Sequence, residues 1–200
     1  MNNFDIEKIK ELFARIFVIG IQNKINLFSF TKALEKSEFI QKIEKNEYDD
    51  YFNHSLESIF FDITGKRIDK DGSYGIYNDA YWCGYSYFLL YKQTKKPFSF
   101  IFLKLPLKKL VDMYDVYHEM DFSSLLEQFN KLDKGKTILR ALCEERDCSI
   151  SKLSNETKIS KATLSKYNSS DTALYKGSFQ YLYKLGNYFD IPLSLFAKAL

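Results

Sequence analysis

Two stretches of this chain hold side chains whose types and spacing could do chemistry. The first is Ser160-Lys161-Ala162-Thr163-Leu164-Ser165-Lys166, with Lys158 just before it. Ammonium and hydroxyl groups crowded in this way are hydrogen-bond donors suited to phosphate. The second is His118-Glu119-Met120-Asp121. An imidazole beside two carboxylates can ligate a metal or move a proton. The spacing is not His-Glu-x-x-His, however, and a helix-end network that caps the following helix accounts for the same residues. His54 stands alone between Asn53 and Ser55. Tyr74, Tyr77, Tyr81, Tyr85 and Tyr87 with Trp82 suit a core, a ligand pocket or a protein interface.

The elements that position these groups follow from composition and periodicity. Two hundred residues, 46% hydrophobic and 28% charged, are enough to bury a core without a disulfide staple. Gly and Pro number only 8 and 3, which favours long helices over a sandwich of short strands. Cys83, Cys143 and Cys148 are an odd number without Cys-x-x-Cys spacing, so neither a disulfide framework nor a zinc site is expected, and a reduced, cytoplasmic setting follows. No run of about eighteen uncharged apolar residues addresses a membrane. Charge is uneven: residues 1–131 carry 18 basic and 19 acidic side chains, residues 132–200 carry 11 and 7. Attraction for a polyanion is thus confined to the C-terminal third.

Apolar residues at three- and four-residue steps predict an amphipathic helix from Phe4 to Gln22. Two small helices follow, one ending at Lys36 and one capped by Ser37. A further helix is expected from Tyr48 to Ile63, closed by Thr64-Gly65. The charged segment 66–73 reads as a loop or small hairpin. Asn78-Asp79 caps a helix through Lys92, while 98–105 is apolar without a clear period, so strand and buried helix both remain open there. Pro106 opens a helix to about Tyr117, and Asp121 caps one from Phe122 to Lys131. The best domain boundary is Lys131-Leu132-Asp133-Lys134-Gly135.

From Lys136 onward five short helices are expected: Thr137 to Glu145, Ile150 to about Thr157, Lys161 to about Tyr167, and two more after the polar loop from Asn168 to Tyr175. Ser149 and Ser160 are their caps. Leu153, Ile159-Ser160, Thr163-Leu164-Ser165, Phe179, Leu182, Leu185, Phe189-Asp190-Ile191-Pro192 and Leu195-Phe196 resemble the lambda-repressor-like (Cro or xenobiotic-response-element type) helix-turn-helix family over residues 136–197. The family commonly has a small residue after the second-helix leucine and a glycine in the turn, where this chain has Ser154 and Lys158. The resemblance implies that the helix 160–167 enters the major groove. Lys161 and Lys166 would then donate to guanine or phosphate, Thr163 and Ser165 bond base or backbone, and Ala162 touch a thymine methyl. Ser160, Lys158, Asn168, Lys176, Ser178 and Gln180 would approach phosphates.

The fold expected is therefore mainly α: an α-rich N-terminal domain over 1–131, with one short strand pair left open, and a five-helix helix-turn-helix domain over 132–200. The function expected is a homodimeric, sequence-specific regulator of double-stranded DNA, a repressor, with no catalytic role, metal or cofactor. The alternative is an antitoxin or mobile-element regulator that neutralises a protein partner through the N-terminal domain and controls its own operon. An enzyme built on His118, Glu119 and Asp121 is the third reading.

Overall fold

The structure, a computed structural model, describes residues 3–68 and 78–196. The chain divides into two compact units, Met1–Leu125 and Leu126–Leu200. Among the described residues every regular element is a helix, including the stretch after Pro97 that the sequence left open. No described helix is long and apolar enough to cross a membrane.

The first unit contains α1 (Asn3–Gln22), α2 (Leu27–Lys36), α3 (Glu38–Lys45), α4 (Leu56–Thr64), α5 (Asn78–Thr94), α6 (Phe98–Lys104), α7 (Leu107–Asp112) and α8 (Tyr114–Tyr117). Helix α1 packs most extensively on α5 and also meets α2 and α4. Its buried stripe of Ile9, Phe13, Ile16 and Phe17 follows the helical period and enters an aromatic core. Phe13 lies 4.9 Å from Phe98, Phe17 lies 5.2 Å from Phe30, and Tyr91 stacks on Phe98 at 4.6 Å between ring centroids. Full burial of each such ring contributes about 1.5 to 3 kcal/mol. The tyrosines of α5 serve this packing. Tyr87 is fully buried and donates to the Leu105 carbonyl at 2.7 Å, Tyr81 donates to Glu11, and the Lys10 ammonium sits 4.6 Å over Tyr85. Tyr74 and Tyr77 lie outside the described residues, as does most of 66–73.

Three sequence expectations shift in detail. The helix expected over 48–63 is interrupted: a 3-10 turn occupies Asp49–Asn53, and Ser55 starts α4 afresh by accepting the Ser58 N–H at 3.2 Å. Asn53, His54 and Ser55 favour such a break because short polar side chains compete for backbone groups. The helix opened by Pro106 pauses at Met113 between α7 and α8. Helix α9 (Phe122–Gly135) continues through the residues expected to form the boundary. Phe129 is fully buried, and Lys131 pairs with Glu127 one turn back at 2.8 Å.

The second unit holds α10 (Ile138–Glu145), α11 (Ile150–Thr157), α12 (Lys161–Ser169), α13 (Asp171–Tyr175), α14 (Phe179–Phe189) and a 3-10 turn at Leu193–Phe196. Leu139, Leu142, Leu153, Ile159, Leu164, Leu174, Leu185, Phe189 and Phe196 form its core. Helix α12 is at the centre of the packing, against α10, α11 and α13, while α11 also meets α14. The segment expected to be a loop thus contains a helix, α13, capped by Ser170 and anchored by buried Leu174.

A candidate nucleic-acid interface on α11 and α12

The connection between α11 and α12 is only three residues long, and each has a distinct task. Lys158 takes the left-handed conformation, φ 57° and ψ 28°, which stops α11. Ile159 is buried and fastens the turn to the core. Ser160 is extended and caps α12, its Oγ accepting the Thr163 N–H at 3.2 Å. Two hydroxyls tie the turn to α11: Ser154 donates to the Ile159 carbonyl at 2.7 Å, and Thr157 donates to the Leu153 carbonyl at 2.7 Å while accepting from the Ile159 N–H at 3.4 Å. Ser154 is therefore a small residue that also holds the turn closed. The left-handed geometry at Lys158 costs a non-glycine residue about 1 kcal/mol, which burial of Ile159 and these bonds offset.

On α12, Leu164 and Tyr167 are buried, whereas Lys161, Ala162, Ser165 and Lys166 are exposed and Thr163 is half-exposed. The helix has its far end clamped as well. The Thr137 hydroxyl donates to the Asn168 carbonyl at 2.9 Å, and Asp171 accepts the Ile138 N–H at 2.7 Å, so α12 and α13 jointly hold the start of α10. Neither clamp was foreseen from the sequence, because each joins residues more than thirty positions apart. A Ser-Ser-Asp cap signal at 169–171 was available for α13.

Nothing among protein-family models, curated proteins and solved structures matches this chain. The chemistry of the surface stands on its own residues. Among the described residues, Lys158, Lys161, Lys166 and Lys176 have no carboxylate partner. Around α10 the cations are committed instead: Lys136, just before the helix, and Arg140 on it both pair with Glu144, the latter at 3.2 Å. The four lysines thus present ammonium groups to solvent along one contiguous stretch of turn, helix and following loop.

Lys166 and Lys176 meet at an open hollow of about 440 Å³, lined also by Thr163, Tyr167, Ser170, Thr172 and Ala173. Burial and the neighbouring Tyr181 raise the pKa of the Tyr167 phenol. This brings Thr163, Lys166 and Lys176 together and adds Thr172, which the sequence did not single out. Ser178 caps α14 by accepting the Tyr181 N–H at 3.4 Å, and Gln180 is exposed in the first turn of that helix. Asn168 is half-buried, with its main chain committed to α10.

The other stretch singled out from sequence is less concentrated. The His118 ring stacks on Tyr114 at 4.3 Å, its Nδ1 bonds the Tyr114 carbonyl at 2.8 Å, and Glu119 lies 3.6 Å from its Nε2. Among the described residues no group of three or more His, Cys, Asp or Glu side chains could hold a metal ion. Cys83, Cys143 and Cys148 are buried free thiols, and burial together with Cys148 pushes Cys143 up to about 12.

Proposed function

We propose that this chain is a sequence-specific regulator of double-stranded DNA and that α12 is its major-groove reading helix. The observation that carries this is the short capped turn that presents α12 with exposed lysines lacking carboxylate partners. An α-helix with its side chains is about 10 to 12 Å across, which fits a major groove about 12 Å wide. Nine residues span about 13 Å, enough for roughly four base pairs. Free ammonium groups displace the counterions condensed on DNA, whereas the ion-paired Lys136 and Arg140 would first have to break their bridges.

One small domain reads too few base pairs to be selective alone. The protein therefore acts as a homodimer on two half-sites about one helical turn apart, in the cytoplasm, and represses by occupying its operator. The test is selection of sites by the full chain from a random duplex pool at about 0.15 M salt, repeated with Lys161→Ala and Thr163→Ala. The expected result is an enriched palindromic motif that either substitution degrades. Recovery of random sequence by the unsubstituted chain would refute the reading.

A further inference from the structure

Successive residues of a helix turn by about 100°, so Lys161, Ala162, Ser165, Lys166 and Ser169 fall within one arc of about 140° on α12. All five are exposed, and buried Leu164 and Tyr167 close the arc on its inner side. This arc carries two ammonium groups, a methyl and two hydroxyls, of which Ser169 donates to the Lys166 carbonyl at 2.9 Å. An ammonium donates and never accepts. The neighbouring hydroxyl of Thr163 lies 2.9 Å from Ser160 Oγ and is engaged there. No carboxamide, which would pair bidentately with adenine, and no carboxylate, which would accept from the cytosine amino group, stands in the arc.

Such a face favours a base edge made of acceptors. Guanine presents two adjacent acceptors, O6 and N7, in the major groove, whereas thymine offers only O4 beside a methyl group, adenine sets a donor beside its acceptor and cytosine offers a donor alone. An ammonium opposite either amino group would leave two donors facing each other, both stripped of water. Lys161 and Lys166, without carboxylate partners among the described residues, keep their donors available for such an edge. We infer that α12 selects guanine at two positions, contacted by Lys161 and Lys166, within a span of about three base pairs. This rests on the DNA-binding reading above and adds the class of base that is read.

The experiment uses the full chain and the motif enriched from the random pool. Each guanine of the half-site is replaced in turn by 7-deazaguanine, which keeps pairing and O6 but lacks the N7 acceptor. Binding by the unsubstituted chain is expected to fall about tenfold at each of two positions. Lys161→Met should become indifferent to the replacement at one of them and Lys166→Met at the other. Lys161→Gln supplies a carboxamide, and repeated selection should then exchange guanine for adenine at that position alone. An enriched motif without guanine, or one that tolerates 7-deazaguanine throughout, overturns this inference while leaving DNA binding in place. Absence of any enriched motif overturns both.

Discussion

Ser160 Oγ lies 2.9 Å from Thr163 Oγ1 and accepts the Thr163 backbone N–H at 3.2 Å. One side chain therefore caps α12 and also engages the half-exposed Thr163 hydroxyl beside the exposed face. Ser160→Ala should remove about 1 kcal/mol from the helix, speeding hydrogen exchange of the first-turn amides of α12 about fivefold. Ser160→Asp keeps a capping oxygen but sets a negative charge at the proposed contact, so exchange should be nearly unchanged while DNA affinity falls. Parallel loss of protection and affinity in both variants would mean that Ser160 acts on the helix alone.

Lys158 stands with φ 57° where the turn requires a left-handed residue. Lys158→Gly should relieve that conformation and protect α11 by up to about 1 kcal/mol, less the greater freedom glycine gives the unfolded chain. Lys158→Val puts a β-branched side chain into the same geometry and should cost more than about 1 kcal/mol. Amide exchange along α11 ranks the three proteins. Equal protection for glycine and valine would show that the turn can take another conformation.

Gly84 marks a close approach of α5 to α1. A Cβ added there would lie 2.7 Å from the Ala14 Cα and 2.9 Å from the Phe17 ring. The first of these neighbours is backbone, so the helices must separate, and Gly84→Ala should cost about 1 to 3 kcal/mol. Trp82, the single tryptophan, lies two residues away and reports melting of this unit. Gly135→Ala, in the second unit, is the control: its added Cβ meets nothing within 4 Å at the end of α9, and the change should leave the Trp82 transition where it is in the unsubstituted protein. Similar melting for both variants would mean that the α1–α5 crossing yields easily.

How far the sequence carried depended on the range of the interactions. The helices at 138–145, 150–157 and 161–169 were legible to within one or two residues because Ser149 and Ser160 are caps and the apolar steps between them are regular. Helix α13 was missed because five residues with one buried leucine have no period to detect. The apolar run 98–104 could not be resolved locally. Its helical state depends on burial of Phe98, Ile101 and Phe102 together with a bond from the Phe98 N–H to Glu44, 54 residues earlier. At the candidate site, Lys161, Ala162, Thr163, Ser165 and Lys166 were legible from helix spacing, whereas the hollow shared by Lys166, Thr172 and Lys176 needs α13 to bring its walls together.

The same Glu44 gives a pH prediction. Its carboxylate accepts the Phe98 N–H at 2.7 Å, yet burial outweighs that bond and holds the carboxyl above its ordinary value of 4.5. A group whose pKa rises on folding contributes stability that is fully present below the unfolded value and is lost as pH climbs through the folded one. Glu44 thus weakens the first unit at neutral pH. Glu11 has the opposite sign: burial raises its pKa, but the bonds from Tyr81 and Arg15 prevail and hold it low, so its contribution is lost as pH falls. Glu44→Gln keeps an oxygen for the Phe98 N–H without a charge to desolvate. Followed by Trp82 fluorescence, its melting temperature should match the unsubstituted protein near about pH 4 and exceed it near about pH 7. A difference of equal size at both pH values would show that the charge on Glu44 is not what burial opposes, and a loss at neutral pH would show that the carboxylate is the better cap for α6.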